Sequence, residues 1–216
     1  MQKKKHIRTG KTMKFALGLF FLLAGVVLIN GEVLADSEAL ANSSRLGKYA
    51  ISLHVGYLKP QEEGMRDFYD NAFTFGGGIG YMFLDEIETE FSFKYRAHEF
   101  KQKNDPVKEL AVRTMTLDAK YYFLYGDYWA FYSGAGPSYY SVKLKVDNVR
   151  SALLPGKIVD NGIGFNLKMG VNYSIFSNGS LTGEVEYSRS FLGDPDLGRF
   201  GNIGGVDLTL GIRLSL

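Results

Sequence analysis

The chain has 216 residues, which is enough for one domain of ordinary size. Aromatic residues make up 14% of the sequence, which is too many for a disordered chain. The absence of cysteine excludes disulfide frameworks, thiolate metal sites and cysteine nucleophiles.

The N-terminus has the order of a secretory signal peptide. Six basic side chains precede an apolar run at 15–29, and small residues follow near Ala35. The run is shorter than the ~20 apolar residues of a membrane-spanning helix, which makes an N-terminal anchor the weaker alternative. We predict that residues 1–35 are removed after Ala35, with Ala41 as the second cleavage site and Met13 as an alternative start.

Removal of this segment changes the sign of the net charge. The formal charge is +2, but the segment carries six basic residues and one acidic residue, so 19 basic and 22 acidic residues remain, a net charge of about −3. A basic footprint for nucleic acid is therefore absent, and no nucleic-acid partner is expected.

The rest of the chain has the two-residue period of β-strands. Apolar residues alternate with small or polar ones at 206–216, at 163–173 and at 87–96. Upstream of Met115 the phase breaks at 112–113, which we interpret as a bulge or the start of a loop. Weaker alternating stretches begin at Tyr49, Phe73, Met115, Trp129 and Leu181.

The links between these stretches are alternately short and long. Links of a few residues lie at 84–86, 124–128 and 176–180, and longer links rich in Gly, Asp, Asn, Lys and Pro lie at 59–72, 99–108, 143–161 and 192–205. One end of the sheet therefore carries tight turns and the other carries loops. This pattern predicts an all-β fold, an eight-stranded antiparallel up-and-down barrel.

The composition of the polar face favours a transmembrane barrel over a soluble, lipocalin-like exported barrel. That face carries many Gly and Ser and only balanced charges, as a narrow enclosed lumen requires. The outward face has no central Lys or Arg. The predicted lumen charge cluster consists of Glu88, Glu90, Lys94, Arg96, Asp118, Lys120, Lys168, Glu184, Glu186, Asp207 and Arg213.

The aromatic residues fall into two groups, as the girdles at two lipid–water boundaries do. One group lies near the short links and the other near the long links. The first contains Tyr81, Phe83, Phe123, Tyr125, Tyr128, Trp129 and Tyr173, and the second contains Tyr57, Phe73, Tyr95, Tyr139 and Tyr187.

Two motifs resemble small outer-membrane barrels of bacteria. The end of the chain, with Thr209, Gly211, Leu214 and Leu216, resembles the signal that the barrel assembly machinery recognises, although many members of the family end in Phe. Segments 118–123 and 132–136 are similar to the central hairpin of surface barrels of the OmpA/OmpX and opacity-antigen type.

This resemblance implies a monomer in the cell outer membrane, in contact with outer-membrane lipid and lipopolysaccharide. Residues 36–46 are then a short periplasmic segment, and 47–216 form the barrel. No periplasmic peptidoglycan-binding domain is expected after the last strand.

Residues with catalytic chemistry are few. His54 and His98 are predicted on the inner face as ordinary hydrogen-bonded residues, with a catalytic or metal pair as the alternative. Neither is followed by the Ser that a lipid-modifying barrel enzyme of this size needs. Solvated loop charge is the simplest interpretation of the acidic loop residues, and a cation site is the alternative for Glu62, Glu63, Asp67, Asp70, Asp194 and Asp196. We therefore expect no catalytic residue, no cofactor and no metal.

The predicted function is a structural scaffold that displays four extracellular loops for surface interaction or adhesion to an unknown extracellular ligand. A narrow channel for small or apolar solutes is the alternative, because a Gly-lined interior leaves room for a gap.

Overall fold

The structure, a computed structural model, describes residues 47–61, 71–99, 107–146, 157–192 and 202–216. The predicted signal peptide, the segment 36–46 and the six acidic loop residues named above lie outside these residues. The described part of the chain contains eight strands: β1 (Tyr49–Pro60), β2 (Ala72–Met82), β3 (Ile87–Glu99), β4 (Val107–Tyr125), β5 (Trp129–Val146), β6 (Lys157–Phe176), β7 (Gly179–Leu192) and β8 (Gly205–Ser215).

The strands form a closed barrel in which each strand pairs with its neighbours in sequence and β8 pairs with β1. All eight pairings are antiparallel. The predicted fold class is therefore confirmed. No helix in the described ranges is long and apolar enough to cross a membrane.

The register of the strands gives the barrel its tilt. A row of paired residues that starts at Tyr121 and passes once around the barrel returns to β4 at Ala111, ten residues away. Ten residues of shear over eight strands correspond to a strand tilt of about 40° and to a narrow interior that side chains fill.

The apolar face points outward, as the composition predicted. Phe91 and Leu210 are 52% and 66% exposed, whereas Glu90 and Lys168 on the opposite face are each 3% exposed. Alternation along each strand produces this division, because successive side chains point to opposite faces.

The prediction that the phase break at 112–113 marks a bulge or the start of a loop is wrong. β4 continues to Val107, and its register with β3 is unbroken from Ile87↔Tyr121 to Glu99↔Glu109. What changes is the polarity of the two faces, because Val112 points inward and Arg113 outward.

The same reversal occurs on β5, where Val142 points inward and Lys143 outward, and on β1, where Leu58 points inward and Lys59 outward. We call the buried apolar residues at this end the apolar collar. It consists of Leu58, Ala72, Leu110, Val112, Tyr140, Val142, Leu144 and Ile203.

The strands are also longer than predicted at this end. β5 reaches Val146 and β6 begins at Lys157, so the third long link is shorter than the predicted 143–161. The apolar collar explains the difference, since its residues bury apolar surface where the outward face has become polar.

Candidate functional site

The interior of the barrel contains a network of buried charges. All eleven residues of the predicted lumen charge cluster are buried on the inner face, and each takes part in at least one ion pair. Six are carboxylates and five are cations. Buried charges are costly unless they are paired, and this network pairs them across the lumen as well as between neighbouring strands.

At the short-link end, Arg213 of β8 binds Glu88 of β3 with two parallel hydrogen bonds. The two guanidinium nitrogens of Arg213 donate to the two carboxylate oxygens of Glu88 at 2.8 and 2.9 Å. The hydroxyl of Tyr122 donates to the same carboxylate at 2.7 Å. This bidentate geometry orients both groups, and the pair spans the lumen near the short-link end.

Lys168 lies at the centre of the network. Its Nζ is 2.6 Å from Asp118 Oδ2 and 3.4 Å from Glu186 Oε2, and the carboxylates of Glu184 and Glu90 follow at 3.7 and 4.0 Å. One ammonium group therefore faces four carboxylates from three strands, β3, β4 and β7. The second lysine nearby, Lys120, is 2.8 Å from Glu90 Oε1.

The upper part of the network links β3 to β7 and β8. Lys94 Nζ donates to Glu186 Oε2 at 2.7 Å, and the Arg96 guanidinium donates to Asp207 Oδ2 at 3.1 Å. Thr74 donates a further hydrogen bond to Asp207 Oδ1. The apolar collar begins directly beyond these residues.

Two cavities of very different size lie inside the described part of the barrel. A cavity of about 630 Å³ opens at the short-link end, between Lys48, Tyr122, Trp129, Asn172 and Arg213. Beyond it, a cavity of about 20 Å³ lies beside His54, Glu90 and Glu184, which is room for about one water molecule. The large cavity is thus a vestibule that opens at the short-link end and stops at the charge network. The apolar collar lies on the other side of that network.

Sequence reasoning missed the polar residues that complete the network. Tyr132 donates to Glu184 Oε2 at 2.9 Å, and Asn172 donates to the Tyr122 hydroxyl at 3.3 Å. Their positions carried a signal, because Tyr122 follows Lys120 by two residues and Tyr132 precedes Gly134 by two, on the inner face of each strand.

The two predicted inner-face histidines lie in different places. His54 Nε2 is buried beside the central charges, next to Gly76 of β2. His98 is fully buried near the apolar collar. They are not brought together as a pair.

The four residues of the predicted assembly signal all lie at the end of the chain. Thr209 and Gly211 of β8 face the interior of the barrel, and Leu216, just after the end of β8, is exposed. Leu214 pairs with Ile51 of β1, in the seam that closes the barrel.

The comparison with protein families identifies the kind of barrel. The family described as "Outer membrane protein beta-barrel domain" matches residues 21–212. The chain belongs to this family. No curated protein matches it. The outward apolar surface of this outer-membrane barrel therefore faces lipid, and the buried charge network lies at the depth of the membrane.

Solved structures of outer-membrane proteins share the fold at low sequence identity. The outer membrane protein OprG from Pseudomonas aeruginosa is 16% identical with a TM-score of 0.58, and the match covers 79% of this chain and 96% of OprG. Neisserial surface protein A is 14% identical with a TM-score of 0.57, over 79% and 97% of the two chains. Ail of Yersinia pestis is 14% identical with a TM-score of 0.53, over 79% and 99%.

The lipid-facing surface gives a first testable prediction. Leu210 is 66% exposed near the middle of this surface, so Leu210→Arg is expected to lower the free energy of unfolding by about 2–4 kcal/mol. The matched variant is Val206→Arg on the same strand, close to the aromatic residues near the long links. There the expected loss in the free energy of unfolding is about 0–1 kcal/mol. Denaturant titration in phospholipid vesicles measures both. Equal losses would contradict the assigned depth of Leu210.

Proposed function

We propose that this outer-membrane barrel is a monomeric, non-conducting scaffold that presents its four long links outside the cell for contact with an extracellular ligand. In this proposal the signal peptide at 1–35 is cleaved, and the short links face the periplasm. The observation that carries it is the closed interior. A rigid, filled barrel leaves the links as the variable surface where binding resides.

The ion pairs support the scaffold over the narrow channel. Lys168 of β6 pairs with carboxylates on β3, β4 and β7, and the cavity beside His54 has a volume of only about 20 Å³. An ion or solute that passed the network would have to separate buried pairs, which costs several kcal/mol for each charge left without a partner.

The fold neighbours support a role at the cell surface. A structure of Ail of Yersinia pestis, another barrel of this fold, is in complex with the heparin analogue sucrose octasulfate. We extend to this chain only the general role of ligand contact, and no catalytic role is proposed.

Insertion is proposed to begin at the C-terminal strand. The barrel assembly machinery is the expected partner, through Thr209, Gly211, Leu214 and Leu216. The backbone supports this role, because the Leu216 N–H donates to the Tyr49 carbonyl at 2.8 Å and so joins the two ends of the barrel.

Conductance in planar bilayers tests the closed interior. The purified full chain is expected to give no stepwise currents at neutral pH in 1 M KCl, whereas a general porin in the same bilayer gives them. Regular steps from the folded, heat-modifiable form would favour the channel instead.

Deletion of one long link at a time, scored for binding of cells to immobilised glycans and matrix proteins, then tests the loops.

A further inference from the structure

The vestibule at the short-link end is large enough to hold a ligand. Its volume of about 630 Å³ lies within the range of about 300–1,000 Å³ that is usual for ligand pockets. A closed scaffold does not require this space, because the charge network beyond it already fills the lumen. The chemistry of the vestibule walls therefore indicates what it accommodates.

The walls of the vestibule are of two kinds. One is apolar, where the cavity meets Met82 and Tyr122 of a buried hydrophobic cluster. The other is polar and is formed by Asn172 and Ser174 of β6 and by Ser180 of β7. Hydroxyl and amide groups donate to and accept from a peptide backbone, and the apolar wall covers an aliphatic side chain. A short peptide segment fits both walls.

The opening of the vestibule is acidic. Asp85 and Glu86 precede β3, and Asp127 precedes β5, and all three are exposed at this rim. Among the described residues that line the cavity, the other charged side chains are Lys48 at the rim and Arg213, which is paired in the floor. Three carboxylates against one ammonium group give the rim a net charge of −2, which favours an occupant with a positive charge.

The described chain begins at this rim. Lys48 lines the cavity, and the Gly47 N–H donates to the Met82 carbonyl at 2.6 Å. Gly47 has a φ of 75°, which lies in the left-handed region that glycine adopts without strain. The backbone therefore bends at Gly47, beside the cavity, instead of continuing straight along the line of β1.

The five residues before Gly47 have the composition that the vestibule favours. Segment 42–46 reads Asn-Ser-Ser-Arg-Leu, with one basic side chain, Arg45, one aliphatic side chain, Leu46, and no acidic one. It stays in the chain after removal of the signal peptide at either predicted site. Five residues span at most about 17 Å, and so short a tether gives an effective concentration on the order of millimolar. Weak contacts then suffice for occupancy.

We propose that segment 42–46 folds back at Gly47 and occupies the vestibule, with Arg45 among the rim carboxylates. The acidic rim, the two kinds of wall and the position of Gly47 at the opening carry this proposal. The occupied vestibule shields the pair of Arg213 and Glu88 from water at the short-link end. The proposal depends neither on the function proposed above nor on the side of the membrane that the short links face.

A disulfide between introduced cysteines tests the contact, since the chain has no cysteine of its own. The full chain with Ser43→Cys/Ser180→Cys, folded in detergent micelles, is oxidised with copper phenanthroline, and mass spectrometry of the digest follows the cross-link. The matched control is Ser43→Cys/Leu84→Cys. Leu84 is 48% exposed and follows β2, the strand that pairs with Gly47, whereas Ser180 lies two strands from β1.

An unattached tether would reach position 84 at least as readily as position 180. Occupancy of the vestibule is instead expected to make the cross-link to position 180 form about tenfold faster than the cross-link to position 84. Ser174→Cys on the same wall replaces Ser180→Cys if that variant does not show the heat-modifiable migration of the folded form. A faster cross-link to position 84 would overturn the proposal, and so would a disulfide that joins two chains.

The charge of Arg45 provides an independent measurement. Addition of Arg45→Glu to Ser43→Cys/Ser180→Cys is expected to slow the cross-link about tenfold, because the acidic rim then repels the segment. Addition of Arg45→Lys keeps the charge and is expected to leave the rate within about twofold. Equal rates with Arg45→Glu and Arg45→Lys would overturn the placement of Arg45 at the rim. None of these measurements involves conductance or binding by the long links.

Discussion

Lys168→Met is expected to lower the free energy of unfolding by about 3–5 kcal/mol, because it leaves buried carboxylates without their common cation. Asp118 loses its ion pair of 2.6 Å and Glu186 one of 3.4 Å. Methionine fills a similar volume, so the loss reports on charge rather than on packing. The fluorescence of Trp129, the only tryptophan in the chain, follows unfolding in urea.

Two further variants identify the cause of this loss. Lys143→Met removes an exposed lysine from β5 and is expected to change stability by less than about 0.5 kcal/mol. Addition of Asp118→Asn to Lys168→Met is expected to restore part of the stability, because Asp118 is the carboxylate that pairs most closely with Lys168 and its unpaired charge is then absent. If Lys168→Met unfolds at the same urea concentration as Lys143→Met, the network does not stabilise the barrel.

Gly136→Ala is expected to destabilise the barrel by about 3 kcal/mol, at the upper end of the effect of overpacking. A Cβ at this position would overlap the backbone carbonyl of Leu117 on β4 and crowd the carboxylate of Asp118. Pro137 follows and has no N–H to donate, and β4 and β5 make no direct pairs between Thr116↔Ser138 and Ala119↔Ala135. The two strands therefore already lack hydrogen-bonded pairs at this point. A further displacement of β5 from β4 would move Asp118 and so disturb the charge network.

Gly183→Ala is the matched control, since both glycines lie within strands. A Cβ at Gly183 would meet only Val171 Cγ1 at 3.7 Å and Leu210 Cδ2 at 3.8 Å, ordinary van der Waals distances. The expected change is neutral or stabilising by up to about 1 kcal/mol, because alanine restricts the unfolded chain. Urea unfolding of the two variants compares them directly. A loss at Gly183 as large as that at Gly136 would show that the effect is general to strand glycines.

The direction of each side chain in the membrane zone could be predicted from the sequence, because alternation assigns Glu90 and Phe91 to opposite faces whatever the partners are. The choice of ion-pair partners could not. Lys94 and Glu186 are 92 residues apart on β3 and β7. Their contact depends on the diameter and shear of the closed barrel, which no local pattern encodes.

The reversal at Val112 and Arg113 has a different cause. The rule that apolar residues point outward holds only where lipid surrounds the barrel. Beyond the headgroups, water lies outside, so the same alternation continues with the opposite assignment. A sequence pattern that reverses its phase without turn residues is therefore a sign of a strand that leaves the membrane.

The apolar collar has a consequence for engineering. Its highest described residue, Leu144, lies about 10 Å above Arg113, and the strands that carry it are packed like those of a water-soluble protein. Contacts among the buried side chains of the apolar collar thereby hold the strand ends together without any contact with the bilayer. Foreign peptide epitopes grafted onto these strand ends would be displayed clear of the lipid headgroups, and the part of the protein that crosses the membrane would need no redesign.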